Sequence, residues 1–179
     1  MRKIWGLLSL TTLILLLTSC SIEDSNMRKM FFARNDKQIA NERFETLIDA
    51  IQTHNSEAVK AVFSNNALRE VENIDSSIQE LFGYFQGNLL SYKAWAGSDV
   101  SAKKDNGNYW KSYDCTYDFE TSKDKYRLAM EIITVDTTDA DNIGIRSLYI
   151  IRFEDDTDQN CAYRGDGAYT PGINIGKTE

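Results

Sequence analysis

The sequence has few of the side chains that usually carry metal or acyl-transfer chemistry. It contains one histidine, His54, and three cysteines among 179 residues. A Ser–His–Asp hydrolase would have to use His54, yet no Gly-x-Ser-x-Gly nucleophile elbow accompanies it. His54 lies between two predicted helices, where a solvated loop residue is the simpler interpretation. Because one histidine and so few cysteines form no zinc-ligand spacing, we predict no metal, no cofactor and no identifiable catalytic residue.

Clusters of basic residues are also missing. The chain carries 20 Lys and Arg against 27 Asp and Glu, a formal net charge of −7. Without a run of Lys or Arg there is no footprint for counterion release, so we predict no nucleic-acid partner. A net acidic chain is also repelled by an anionic bilayer, so membrane attachment requires a covalent lipid.

The first twenty residues have the order of a bacterial export signal. Arg2 and Lys3 precede an apolar run, residues 4–17, which is shorter than the about 20 residues that span a bilayer. The four residues Leu17-Thr18-Ser19-Cys20 resemble the lipobox of bacterial lipoproteins. This resemblance implies that the signal is cut before Cys20, whose sulfur takes a diacylglyceryl group and whose amino terminus can be acylated. The alternative is an ordinary signal peptide in which Cys20 is incidental.

These features predict a chain in three parts. Residues 1–19 are the signal peptide, residues 20–35 are a lipid-anchored tether, and residues 36–179 are one domain. We expect the domain on the extracytoplasmic side of the cell membrane. Residues 27–32 mix bases with large apolar side chains, and either lie on the bilayer interface or fold back onto the domain. We expect them to fold back.

Three features of the second half invite a functional interpretation. Cys115 and Cys161 are a candidate disulfide because disulfides persist outside the cytoplasm, with two buried thiols as the alternative. The acidic run 154–160 fails as a calcium-binding EF-hand because Cys161 and Gly167 occupy the positions that need Gly and Glu. The adhesion tripeptide at residues 164–166 is explained as a turn in a glycine-rich segment.

Apolar spacing predicts three helices in the first half of the domain. The first covers about residues 36–53, and its apolar stripe contains Ile39, Phe44, Leu47, Ile48 and Ile51. Ser56 can cap a second helix. A third begins at Asp75 or Ser76 and ends at Gly87.

Alternation of apolar and polar residues predicts the strands of the second half. They cover Leu89–Trp95, Tyr109–Thr121, Tyr126–Asp136 and Ile143–Phe153. A turn is predicted at Asn106-Gly107, and only Trp110 and Lys111 interrupt the alternation of the second strand. Short polar connections between the last three strands predict an antiparallel meander. Helices followed by such strands predict an α+β fold with the helices on one face of the sheet.

This arrangement resembles the nuclear-transport-factor-2-like cone. The resemblance rests on Ile48-Asp49-Ala50-Ile51, Val62-Phe63-Ser64 with Ala67, Leu81-Phe82, Phe85-Gln86-Gly87 and Asp141-Asn142-Ile143-Gly144-Ile145. The last motif also resembles an uncharacterised family of bacterial lipoproteins with that cone. The resemblance covers about residues 39–153 and implies three N-terminal helices packed on a curved antiparallel sheet. It leaves the function open, because the superfamily includes enzymes, ligand binders and interaction modules.

Aromatic residues of the strands form the candidate ligand site. The set that could line the mouth of the cone is Tyr92, Trp95, Tyr113, Tyr117 and Tyr149. Such rings offer flat apolar area with a polar tip, although they are also ordinary core residues. Tyr113 and Tyr117 must share a face because they are four residues apart in one strand. Alternation with Ile145 and Ile151 predicts that Tyr149 faces the same interior.

The sequence therefore predicts a lipid-anchored cell-envelope protein that binds a small apolar or aromatic ligand or an envelope protein. One alternative is a cone-fold enzyme of isomerase, dehydratase or hydrolase type. Another is a structural interaction domain whose sheet forms a homodimer. An open pocket with a pKa-shifted carboxylate would favour the enzyme, and a pocket filled by its own side chains would favour the structural domain.

Overall fold

The computed structural model describes residues 28–33, 35–95, 99–156 and 170–176. The signal peptide, Cys20 and Cys161 lie outside these ranges, so lipidation and the Cys115–Cys161 disulfide stay predictions. Among the helices of the described ranges, none has both the length and the apolar character needed to cross a membrane.

Five helices precede the sheet within the described residues. They are α1 (residues 28–32), α2 (Asp36–Gln52), α3 (Ser56–Val62), α4 (Asn65–Glu70) and α5 (Ile74–Tyr84). The predicted count of three is too low because α1 and α4 are too short to show a repeat of apolar spacing. The long helix α2 ends within one residue of its predicted boundary.

Polar side chains set the starts of three helices. Asn55, Ser64 and Asn73 each accept a hydrogen bond from the backbone N–H three residues later, at 3.0 or 3.1 Å. This is the usual N-cap interaction. The predicted cap Ser56 and the predicted start Asp75 are each one residue too late, because the preceding turn contains an asparagine that caps better placed N–H groups.

A six-stranded mixed sheet follows the helices. Its strands are β1 (Leu89–Ala94), β2 (Asp99–Asp105), β3 (Asn108–Thr121), β4 (Lys125–Asp136), β5 (Gly144–Arg152) and β6 (Gly172–Ile175). The order is β1-β3-β4-β5-β6. Strands β1 and β2 both pair with β3, β2 with its N-terminal half and β1 with its C-terminal half. The predicted meander of β3, β4 and β5 is confirmed, whereas β6 adds a parallel neighbour to β5.

A two-residue turn joins β2 to β3. Asn106 and Gly107 have φ angles of 48° and 88°, the left-handed backbone that a tight hairpin requires. Asp105 pairs directly with Asn108 across the turn. The predicted turn is confirmed, and it places the tip of the β2–β3 hairpin at one end of the long strand β3.

The start of the described chain is fastened to this hairpin. The Phe31 ring of α1 lies 4.9 Å from the Tyr109 ring, centroid to centroid. The buried Lys111 Nζ donates to the Ala33 carbonyl at 2.9 Å and forms an ion pair with Asp36 at 2.7 Å. Residues 28–33 therefore fold back onto the domain as predicted. Lys111 interrupts the apolar pattern of β3 but is tolerated at a buried position, because Asp36 neutralises its charge.

The helices pack on one face of the sheet, which we call the inner face. Its residues on β3 and β4 form cross-strand pairs, namely Tyr113 with Ile132, Cys115 with Met130, Tyr117 with Leu128 and Phe119 with Tyr126. The α+β class with helices on one face is thus confirmed. We call the opposite side of the sheet the outer face.

A bulge in β5 moves Tyr149 to the outer face. Ile145 opposes Ile132 in β4, but Ser147 already opposes the preceding residue of that strand, so Arg146 is an extra residue. Past the bulge, Tyr149 packs with Ala129 and Ile151 in a cluster separate from the main core. The prediction that Tyr149 shares a face with Ile145 is wrong, because an extra residue inverts a period of two.

Gly144 allows the α3–α4 junction to touch β5. A Cβ atom on Gly144 would lie 2.6 Å from the Ser64 nitrogen, and the φ of Gly144 is +134°. The adjacent Ile145 carbonyl accepts a hydrogen bond from the Ser64 N–H at 2.9 Å. Only glycine fits both this space and this backbone conformation.

Candidate ligand site

Three of the five predicted aromatic residues lie on the inner face, where they fill space. Tyr117 is 1% exposed and Tyr113 is 5% exposed. The Tyr117 ring stacks on Phe44 of α2 with centroids 4.3 Å apart, and Tyr92 lies 4.8 Å from the same ring. These rings are core residues, so the interior between sheet and helices is closed around them by side chains of the chain itself.

The hydroxyl groups of this aromatic stack reach α2. The Tyr117 hydroxyl donates to Asn41 Oδ1 at 2.9 Å, and the Tyr92 hydroxyl donates to Glu45 Oε1. Burial raises the pKa of Tyr117 well above its usual range. The hydrogen bond to Glu45 raises the pKa of Tyr92, with a smaller contribution from burial. Both tyrosines are therefore neutral hydrogen-bond donors at physiological pH.

An open cleft of about 550 Å³ lies along the first half of α2. It is lined by Asn35, Lys37, Gln38, Asn41, Glu42 and Glu45. Two of these residues, Asn41 and Glu45, also hold the tyrosine hydroxyls. All six lining residues have polar or charged side chains, with two carboxylates against one ammonium group, so the cleft can exchange several hydrogen bonds with a ligand.

Trp95 and Tyr149 lie on the outer face, away from this cleft. The Arg127 guanidinium stacks on Trp95 at 4.4 Å and on Phe153 at 4.9 Å. The Tyr149 hydroxyl accepts a hydrogen bond from the Thr170 N–H at 3.1 Å. The structure therefore divides the predicted set into an inner group of three and an outer group of two.

Ion pairs complete the outer group. Arg127 Nε lies 2.8 Å from Asp118, and Arg127 Nη1 lies 2.7 Å from Asp156. The Arg127 side chain is only 14% exposed, so both of its charge contacts are largely screened from water. This arrangement fixes the end of β5 to the sheet, and it accounts for Trp95 without a ligand.

A second recess of about 370 Å³ lies at the β3–β4 turn. Its lining residues are Glu120, Thr121, Ser122, Lys123, Asp124, Lys125, Phe153 and Glu154. None of the five predicted aromatic residues is among them. The recess also lacks Asn41 and Glu45, the residues that hold the Tyr117 and Tyr92 hydroxyls, and this distinguishes it from the α2 cleft.

The single histidine and the buried cysteine of the described residues both make structural contacts. His54 is exposed, has a φ of 51°, and stacks its ring on Phe82 with centroids 4.9 Å apart. Cys115 is 3% exposed on the inner face, and its Sγ lies 3.7 Å from the Met130 carbonyl. Within the described residues, no three or more His, Cys, Asp or Glu side chains are grouped to hold a metal ion.

Two carboxyl groups outside the cleft have lowered pKa values. Burial alone would raise the pKa of Asp136, but hydrogen bonds from Thr138, Asn142 and two backbone N–H groups lower it overall. Hydrogen bonds from Asn65 and Arg69 lower the pKa of Asp141. Lowered values keep both groups ionised, which suits loop anchoring and is the opposite of what a general acid needs.

Sequence reasoning missed Asn41 and Glu45. Both lie on α2, three residues before Phe44 and one residue after it, outside the apolar stripe that predicted the helix. Their polarity at the edge of that stripe was the only available signal, and exposed helix faces are polar in most proteins.

A comparison with known protein families gives a family model that matches the sequence of this chain. It is described as a domain of unknown function (DUF5104), and it matches residues 46–153. The chain belongs to the DUF5104 family. The DUF5104 match begins inside α2 and ends one residue after β5, so it includes Tyr92, Trp95, Tyr113, Tyr117 and Tyr149. The lining residues of the α2 cleft lie just before it. A comparison with curated proteins found no significant match.

Proposed function

We propose that this DUF5104 protein is a lipid-anchored binding module of the bacterial cell envelope, which takes a polar ligand or partner at the α2 cleft. One observation carries the proposal. The buried Tyr117 ring closes the interior, while its hydroxyl is held by Asn41, a residue that lines the cleft. A ligand therefore binds at the polar rim of the aromatic core and not inside it.

The chemistry of the cleft selects the kind of ligand. Gln38 and Asn41 offer amide donors and acceptors, and Glu42 and Glu45 offer carboxylate acceptors beside the single ammonium group of Lys37. A ligand rich in hydroxyl groups, or one with a positive charge, complements this set. The small apolar ligand predicted from the sequence does not, because the apolar rings are already covered by Phe44.

The fold that we propose for this module is a nuclear-transport-factor-2-like cone. Helices on one face of a strongly paired antiparallel β3-β4-β5 meander support a nuclear-transport-factor-2-like cone, and the mixed edge formed by β6 is a departure from it. The anchor is proposed at Cys20, on the lipobox resemblance of Leu17–Cys20.

The filled interior also favours the structural alternative. All residues of β2 are exposed, and within the described part of the chain β2 pairs along one edge, with β3. A second copy could pair along the other edge. Sedimentation equilibrium separates the two functions, because a monomer at micromolar concentration contradicts the dimerising domain and leaves the binding module in place.

The anchor is tested by Cys20→Ala in a bacterial host grown with an alkyne fatty acid. We expect the wild-type chain to be labelled and to sediment with membranes, and the variant to lose both properties. Cys115→Ala is the matched control, because it removes another cysteine and leaves the lipobox intact. Labelling of the Cys20→Ala chain would contradict the anchor site.

The cleft is tested by NMR titration of the ¹⁵N-labelled mature chain with two probes, an aminosugar disaccharide and a lysine-containing tripeptide. We expect amide shifts near Gln38, Glu42 and Glu45 for at least one probe. Glu42→Lys should abolish these shifts, because it reverses a charge in the cleft. The variant should stay folded, because Glu42 is exposed and touches neither tyrosine hydroxyl. Glu70→Lys on α4 is the control with the same charge change. If both probes leave these amides unchanged at millimolar concentration, the cleft is not the binding site.

A further inference from the structure

Basic and apolar side chains gather where α1 meets the tip of the β2–β3 hairpin. We call this surface the hairpin-end patch, and it consists of Arg28, Lys29, Met30, Phe32, Lys103 and Lys104. Each of these residues is exposed. Met30 is 44% exposed and Phe32 is 61% exposed, which is high for large apolar side chains in a folded domain.

The scaffold holds these side chains in place. Phe31 packs on Tyr109, and the buried pair of Lys111 with Asp36 fixes the chain immediately after α1. Phe32 packs edge-on against Phe31 at 5.0 Å and lies 6.3 Å from the Tyr109 ring, so its exposed part is held on a fixed element. The exposure of Phe32 is therefore a property of the folded domain and not of a loose terminus.

The patch has the opposite charge to the rest of the chain. Residues 28–33 and 101–110 contain four Lys or Arg and one acidic residue, Asp105, in a chain with a net charge of −7. Lys103 lies over the Trp110 ring at 5.4 Å, and Lys104 lies over the Tyr109 ring at 5.7 Å. These two pairs lie on opposite faces of the hairpin, because neighbouring residues of a strand point to opposite sides, so both sides of its tip carry a cation beside an aromatic ring, as on surfaces that meet a membrane interface.

We propose that the hairpin-end patch docks on the anionic phospholipid surface of the membrane that holds the anchor. The proposal rests on the proposed lipidation of Cys20. Seven residues separate Cys20 from Arg28, and a fully extended chain of that length reaches at most about 25 Å. A domain tethered this closely meets the bilayer with the surface nearest the tether, and that surface is the patch.

Docking explains why an acidic protein can lie against an anionic membrane. The tether contributes two acidic residues, Glu23 and Asp24, so the attraction must come from the folded surface. Met30 and Phe32 enter the boundary between headgroups and acyl chains, while the four bases contact phosphate groups. The β3–β4 turn then lies roughly 45 Å away, at the far end of the 14-residue strand β3.

The test uses the mature chain from residue 20 with Cys20→Ser, so that no lipid contributes. Its partition onto vesicles of 7:3 phosphatidylcholine and phosphatidylglycerol is compared with pure phosphatidylcholine by co-sedimentation. We expect preference for the anionic vesicles, and a decrease on the order of 10-fold for the double variant Lys103→Gln/Lys104→Gln. Phe32→Ser should weaken binding at all salt concentrations, whereas added salt should weaken only the electrostatic part.

Lys123→Gln/Lys125→Gln is the matched control, because it removes the same charge at the opposite end of β3. Circular dichroism melting checks that every variant is folded. Equal partition of the two double variants, or equal partition onto the two vesicle types, overturns the patch. Self-association that Phe32→Ser abolishes, without any vesicle binding, also overturns it and assigns the surface to a second copy.

These outcomes are separable from the anchor itself. Release of Cys20→Ala from bacterial membranes together with equal partition of the double variants supports the anchor and removes the patch. Membrane retention and unchanged labelling of Cys20→Ala together with selective vesicle binding remove the anchor and support a patch that acts alone.

Discussion

The two faces of the sheet bury tyrosine and tryptophan in different ways. On the inner face, Tyr117 is covered by Phe44 and donates a hydrogen bond to Asn41 at the edge of the core. On the outer face, Trp95 covers a guanidinium, Arg127, that carries two ion pairs. The same residue class therefore fills an apolar core on one side and shields a charge on the other. Aromatic content alone does not identify a ligand pocket.

Truncation of one tyrosine on each face should give the largest contrast. Tyr117→Ala removes a fully buried ring from the main core and should cost about 3–5 kcal/mol of unfolding free energy. Tyr149→Ala should cost about half as much, because among the described residues its cluster contains two others, Ala129 and Ile151. Urea denaturation measures both. Equal losses would show that the outer cluster is packed as tightly as the core.

Removing the guanidinium should be the next largest effect. Arg127→Ala leaves Asp118 and Asp156 close together without their shared cation, and should cost about 2–4 kcal/mol. Adding Asp118→Asn to that variant should recover part of the loss, since it removes one of the two carboxylates. A double-mutant cycle in urea measures the coupling. Strict additivity would mean that the ion pairs do not stabilise the outer face.

Removing single hydroxyl groups should have smaller effects. Tyr117→Phe loses the bond to Asn41 and should cost about 1 kcal/mol. Tyr149→Phe should cost a similar amount or less, because Thr170 N–H loses an acceptor near the surface. The melting temperatures of the two variants provide the measurement. A loss above 2 kcal/mol for Tyr117→Phe would indicate a more extensive polar network beneath the cleft.

High pH should lower the unfolding free energy of the domain gradually, through the ionisation of Tyr84. Burial raises the pKa of Tyr84 to about 12, above the value near 10 of an unfolded tyrosine. The stability from this shift is fully present below pH 10 and is lost as the pH rises through about 12. Tyr84→Phe cannot ionise there, so its stability should fall less steeply between pH 10 and pH 12. Parallel curves for the two proteins would contradict this assignment.

Regular periodicity made part of the fold predictable from the sequence. The 17 residues of α2 and the 14 residues of β3 each repeat their apolar pattern several times, so their positions were predicted to within one residue. Strand β2 has no such pattern because all seven of its residues are exposed. Strand β6 has four residues and follows a glycine-rich segment, so it was also missed.

The candidate site was only partly predictable because it depends on tertiary contacts. Alternation placed Tyr113 and Tyr117 correctly, but the extra residue Arg146 reversed the orientation of Tyr149. No local pattern of residues predicts such a bulge. Asn41 accepts the Tyr117 hydrogen bond only because α2 packs on β3 in the folded domain, and the two residues are 76 positions apart in the sequence.

The parallel strand β6 has a consequence for the order in which the molecule opens. It pairs with β5 through Ser147–Gly172 to Ile150–Ile175, and a connection of 19 residues, 153–171, separates the two strands. Closing such a loop costs entropy that a short hairpin does not, while four residues provide few contacts in return. In native-state hydrogen exchange, β6 should therefore open in fluctuations that leave β3 and β4 protected. Each such fluctuation uncovers the edge of β5, so a small population of molecules carries an extra unpaired strand edge at any moment.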